Sequence, residues 1–105
     1  MAVCHPPPNS LTFRTGWTGE ATVTKLSDNF VILEITALDT TGGDAGGSPF
    51  AVPVGWRPQA NAPITYEWTD GTSESRTISA STGQTYPAIG KVLKTPIRIM
   101  YQSTP

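Results

Sequence analysis

One histidine, His5, and one cysteine, Cys4, lie side by side in a proline-rich opening segment, and they are the natural starting point for a search for chemistry. A general base at His5 would need partners brought from elsewhere in the fold. Cys4 has no sequence-level sign of activation. The pair could bind a metal only by sharing it across a symmetry axis, and two ligands per chain fall short of a closed site. Glycoside hydrolysis needs two carboxylates facing one bond. The acids are Glu20, Asp28, Glu34, Asp39, Asp44, Glu67, Asp70 and Glu74, most of them in turns or on outward strand faces. Asp70-Gly71-Thr72-Ser73-Glu74 is rich in oxygen but lacks the ordered spacing of a calcium-binding loop. No catalytic residue, no metal site and no cofactor is expected.

Binding is better supplied. Three tryptophans, Trp17, Trp56 and Trp68, and three tyrosines, Tyr66, Tyr86 and Tyr101, are generous for 105 residues. Aromatic faces stack on the apolar faces of sugars, while nearby carboxylates and amides take the hydroxyls. Tyr66 and Trp68 alternate with Ile64 and belong to a core face. Trp17, between Gly16 and Gly19, and Trp56, at a corner, are expected to be at least partly exposed. An indole so placed packs over a strand or interface unless a ligand takes it. The candidate ligand contacts are Trp17, Trp56, Arg57, Asp70 and Glu74.

The elements that must hold these residues are strands. Residues 20–26 form one candidate, Ser27-Asp28-Asn29 supplies turn chemistry, and residues 30–38 return as a second strand. Val31, Leu33, Ile35 and Ala37 form one apolar face of that strand. Its other face begins with Phe30 and Ile32 before turning polar, which suits burial under a loop or contact with another subunit. Residues 39–48, with four glycines, are expected to form a mobile loop. Phe50-Ala51-Val52-Pro53-Val54-Gly55-Trp56-Arg57-Pro58 is expected to be a short strand ending in a corner. There Gly55 opens backbone angles closed to other residues and Pro58 pushes Arg57 out of the helical region. Residues 64–69 alternate cleanly, Asp70-Gly71 turns, and residues 75–81 return with Ile78 and Ala80 inward. Residues 86–89 suit a short strand. Residues 97–101 close the chain, with Pro96 at the strand start where a proline is tolerated.

No window carries a helical period. Roughly seven or eight short strands with regular turns point to an all-β single domain, a β-sandwich or jelly roll. Residues 1–10, with Pro6-Pro7-Pro8, form an extended proline-rich leader, and residues 11–105 form the domain. Charged residues are only 14%, against roughly 25% in an ordinary globular protein, a surface suited to contact with other subunits. The net charge is −1 and the cations are scattered, so the electrostatic footprint of a nucleic-acid binder is missing. The longest apolar run, residues 30–33, is far too short to cross a bilayer, and no secretion signal is expected.

The order of these elements resembles the receptor-binding C-terminal head domains of bacteriophage tail-fibre and baseplate proteins. Gly16-Trp17-Thr18-Gly19 followed by Ala21-Thr22-Val23-Thr24 is similar to their opening glycine-aromatic segment and first strand. Asn29-Phe30-Val31-Ile32-Leu33 is similar to the strand after their two-residue turn. The 50–58 corner, the most specific element, is similar to their leucine–proline–x–glycine–tyrosine–arginine–proline corner, with Trp56 in place of tyrosine and Val54 between the proline and the glycine. The resemblance implies a jelly-roll-like β-sandwich head that forms a homotrimer. It would sit at the tip of a virion fibre or baseplate, joined to a shaft or baseplate protein, and bind a host-surface saccharide. It assigns Trp56 and Arg57 to a structural corner and transfers no receptor residue. The competing expectations are a structural trimerisation or decoration domain without a receptor site, and a small glycan or ester hydrolase.

Overall fold

A computed structural model describes residues 9–26, 29–44 and 46–103. Among the described residues the chain is nearly all-β, with 48% strand and no helix. Six strands follow one another: β1 (Asn9–Ser10), β2 (Thr18–Lys25), β3 (Phe30–Asp39), β4 (Ala62–Glu67), β5 (Ser73–Ile78) and β6 (Ile97–Gln102). They build two antiparallel sheets, ordered β1-β2-β3-β6 and β4-β5. Val23, Val31, Leu33 and Ile35 of the larger sheet share one buried cluster with Ile64, Tyr66, Trp68 and Ile78 of the smaller side. That arrangement is compatible with a β-sandwich. Cys4, His5 and Asp28 lie outside the described residues.

The β2–β3 hairpin forms where turn chemistry and alternation place it. Asn29 takes the left-handed conformation (φ 59°), which asparagine tolerates, and the Leu26 N–H donates to the Phe30 carbonyl at 2.7 Å. The inward face of β3 departs from strict alternation. Glu20 pairs with Ala37 and Ala21 pairs with Ile35, so Thr36 is an extra residue without a partner. This β-bulge rotates the strand end: Leu38 enters the core at 2% exposure and Ala37 faces out. The expected apolar face therefore holds through Val31, Leu33 and Ile35 and is corrected at Ala37.

Other expectations are also corrected. Residues 50–54 make no strand; a single bridge, Ala51 to Gln84, marks the segment, because Pro49 and Pro53 remove backbone donors at its ends. Residues 86–89 are irregular, and β5 stops at Ile78, where Ser79 starts a turn closed by Gly83 N–H to its carbonyl at 2.8 Å. Among the described residues six strands stand where seven or eight were expected.

Two prolines explain why there are two sheets. Trp68 bridges Leu93 in antiparallel fashion, and the Lys94 N–H donates to the Glu67 carbonyl at 2.8 Å. Continued in that register, β4 would meet β6 with Pro96 opposite Thr65 and Pro63 opposite Arg98. Each proline stands where the ladder needs a donor, and neither has an N–H. The strands separate there, leaving a groove of about 400 Å³ lined by Pro63, Thr65, Glu67, Pro96 and Arg98, among others.

Candidate functional site

The 50–58 corner is a clamp. A turn closes from Trp56 N–H to the Pro53 carbonyl at 3.0 Å, with Gly55 at φ 92° in its third position. Arg57 Nε donates to the Val52 carbonyl at 2.7 Å and Nη1 to the Ser81 carbonyl at 2.8 Å. Lys25 Nζ donates to the Gly55 carbonyl and lies 5.3 Å from the Trp56 ring centroid, a cation–π contact. Tyr101 Oη donates to the Trp56 carbonyl at 2.6 Å. The corner thus ties β2, β6 and the 79–84 turn together. Two nitrogens of the Arg57 guanidinium, Nε and Nη1, are engaged by carbonyls that hold the corner in place, and the half-buried Trp56 ring carries a lysine.

Trp17, expected to be at least partly exposed, is buried at 4%. The loop that follows β3 is folded over it so closely that a Cβ on Gly43 would meet the indole at 2.7 Å. That loop, expected to be mobile, is pinned at both ends. Buried Thr40 donates its hydroxyl toward the Ala88 and Lys91 carbonyls at 2.9 and 3.0 Å, and buried Ser48 donates to the Phe50 carbonyl at 2.6 Å. Of the glycines that suggested mobility, Gly43 admits the indole, while Gly42 admits the Gly16 carbonyl, which a Cβ there would meet at 2.5 Å.

Asp70 sits in the β4–β5 turn. Its carboxylate accepts from Lys91 Nζ at 2.5 Å and from the Thr72 N–H at 2.9 Å. The Lys91 ammonium, then the Thr72 hydroxyl and N–H, hold its carboxyl far below the usual range. The Thr41 hydroxyl and N–H lower Asp39 in the same direction. A carboxylic general acid requires the opposite shift. No group of three or more His, Cys, Asp or Glu side chains could hold a metal ion among the described residues.

Glu74 has the most consequential surroundings. Glu74 lies opposite Tyr66 and Arg76 opposite Ile64, so both point to the core side of the small sheet, at its outer margin. Glu74 Oε1 accepts from the Ala88 N–H at 2.7 Å. Its Oε2 accepts from Arg76 Nε at 3.2 Å and Nη2 at 3.0 Å. Glu74 therefore fastens the irregular 86–89 segment to β5. Beside it opens a depression of about 500 Å³ lined by Gly46, Arg76, Tyr86, Pro87, Ala88 and Ile89. Tyr86 is 45% exposed, while Tyr66 and Tyr101 are buried. Its hydroxyl donates to Gln84 Oε1 at 2.5 Å.

Of the five expected contacts, Trp56 and Arg57 share the corner, Asp70 belongs to a turn, Glu74 borders the depression, and Trp17 is interior. No hydrogen bond, ion pair or ring contact joins these groups among the described residues. Tyr86, counted among the aromatics, and Arg76 were not candidate contacts, because one stood in an expected strand and the other on a serine-rich one. Tyr86-Pro87 followed by Gly90 was the available signal, since such a pattern suits an irregular segment better than a strand. No family model matches the chain, and no curated protein and no solved structure matches it.

Proposed function

We propose that this chain is a bacteriophage attachment module. In this reading it is a jelly-roll-like head, homotrimeric, placed at the tip of a tail fibre or baseplate, where it binds a saccharide on the host surface without catalysis. The observation that carries the proposal is the depression beside Glu74: a half-exposed tyrosine with apolar neighbours and a guanidinium, next to a carboxylate already occupied by two partners. Such a site recognises and does not turn over. The resemblance of the 16–24, 29–33 and 50–58 segments to phage head domains supplies the viral setting. Val54 at 79% and Met100 at 59% exposure are apolar surface suited to contact between copies. Three weak sites on one particle gain by avidity, by a factor of about 10²–10⁴ where linker geometry allows simultaneous engagement.

Light scattering of the full chain at micromolar concentration, followed by a bacterial polysaccharide array, tests the proposal. A trimer that binds a subset of polysaccharides and releases them unaltered supports it. A monomer opposes the assembly. A stable trimer silent on the array and on bacterial cells favours a structural tip or decoration instead, and turnover of a polysaccharide favours a hydrolase.

A further inference from the structure

We infer that the Tyr86 depression takes one uncharged sugar ring, its C–H face on the Tyr86 ring and its oxygens on the free N–H groups of Arg76. The inference rests on the saccharide-binding reading above and adds the place and the charge of the ligand. Three observations lead to it.

The first is that Tyr86 is exposed yet held. Its hydroxyl is fixed on Gln84, Pro87 restricts the next backbone angle, and Ala88 is tied to Glu74. A ring presented this way loses little freedom on binding, which favours recognition of a small, weakly held ligand. The apolar surroundings continue into Ile89, 41% exposed, and Gly46, where a built Cβ meets nothing within 4 Å. The depression is therefore open beside Gly46.

The second is the state of Arg76. Nε and Nη2 are engaged by Glu74, and its side chain remains 46% exposed. Nη1 has no partner among the described residues, and a guanidinium carries five N–H donors in all. Those spare donors suit hydroxyl and ring oxygens, which accept hydrogen bonds without bringing charge.

The third is electrostatic. The Arg76 charge is matched by Glu74 at 3.0 Å, and among the described residues no other cation lines the depression. A carboxylate ligand would have to displace or approach Glu74 and would meet its repulsion. Uronic acids, sialic acids and phosphorylated sugars are thereby disfavoured against neutral hexoses and deoxyhexoses.

The test is a nuclear magnetic resonance titration of isotopically labelled full-length chain. The probes are methyl glycosides of glucose, galactose, mannose and rhamnose, with methyl glucuronide as the acidic comparison. The expected result is saturable binding of at least one neutral glycoside near about 1 mM, with shifts centred on the Tyr86 ring, the Ala88 amide and the Arg76 Nε. Tyr86→Ala should weaken it about tenfold or more, Tyr86→Phe should restore most of it, and Arg76→Gln should weaken it about fivefold. Because Tyr86 is exposed, the thermal midpoint of Tyr86→Ala should stay near that of the parent, so lost binding is separable from lost folding. Absence of saturable binding to about 100 mM for every neutral glycoside, tighter binding of the glucuronide, or shifts centred elsewhere would overturn the inference. Adsorption of the assembled protein to bacterial cells is read separately. Adsorption that survives Tyr86→Ala leaves the attachment reading standing and sinks this site. Neutral-sugar binding without adsorption does the reverse.

Discussion

Gly83 takes φ 70°, a conformation that costs a side chain strain, and a Cβ there would stand 2.3 Å from the Val52 carbonyl oxygen. That same oxygen receives Arg57 Nε. Gly83→Ala should therefore cost about 2–4 kcal/mol, through strain and overpacking together. Urea unfolding checks it, and a near-neutral result would mean that the corner yields. Burial acts on two tyrosines as well. Desolvation raises the phenol pKa of both Tyr66 and Tyr101 well above the ordinary value. Below about pH 10 both are neutral in either state; above it the unfolded chain ionises and the native chain does not. Stability should fall as pH climbs past that point. Melts between pH 8 and pH 11, roughly bracketing the phenol range, should show the decline, and Tyr101→Phe should flatten it. Trp68 is a counterweight: its indole N–H is buried with no acceptor among the described residues, while its ring stacks on Tyr66 at 5.3 Å and 5°.

The elements differ in how much the residues alone reveal. β3 announces itself through Val31, Leu33 and Ile35, and β4 through Ile64, Tyr66 and Trp68, because period-two burial leaves a pattern in sequence. The bulge at Thr36 leaves none; it exists because β2 pairs with β3 one residue out of step beyond Ala21. Register with a partner is a property of two segments, and neither one encodes it by itself. The bulge is open to test. Leu38→Ala should cost about 2–5 kcal/mol as a core deletion, whereas Ala37→Ser should shift stability by less than about 0.5 kcal/mol. Unfolding midpoints of the two variants compare them directly; equal costs would restore strict alternation. The same limit applies to the candidate site. Glu74 could be picked out as an acid near a turn, but its role depends on Ala88, fourteen residues onward, meeting its carboxylate. Tyr86 becomes a candidate only once that meeting is known. Trp17 misled for a related reason, since flanking glycines suggest exposure until Gly43 is seen to close over the indole.

At the scale of the molecule, two sheets share a core but hardly share a backbone network. The 62–78 hairpin is joined to the remaining chain by two backbone hydrogen bonds among the described residues, Thr69 to Val92 and Lys94 to Glu67. Otherwise it is held by buried side chains and by the contacts of Asp70 and Thr72 with Lys91, Tyr66 with Thr85, Glu74 with Ala88 and Glu67 with Thr95. The prolines that part β4 from β6 are responsible. Parting leaves an edge of β4 and an edge of β6 without a neighbouring strand, and the missing proline donors make those edges poor templates for further chains. Parting also means that the hairpin can lift away as a unit while β2 and β3 stay paired. Amide protons of β4 and β5 should exchange with deuterium sooner than those of β2 and β3, through partial opening that leaves the larger sheet intact. Pro63→Thr with Pro96→Val should slow that exchange toward the rate of the larger sheet. Each opening uncovers Tyr66 and Trp68, so a protease supplied in trace amounts should cut first around this hairpin and spare the strands across from it.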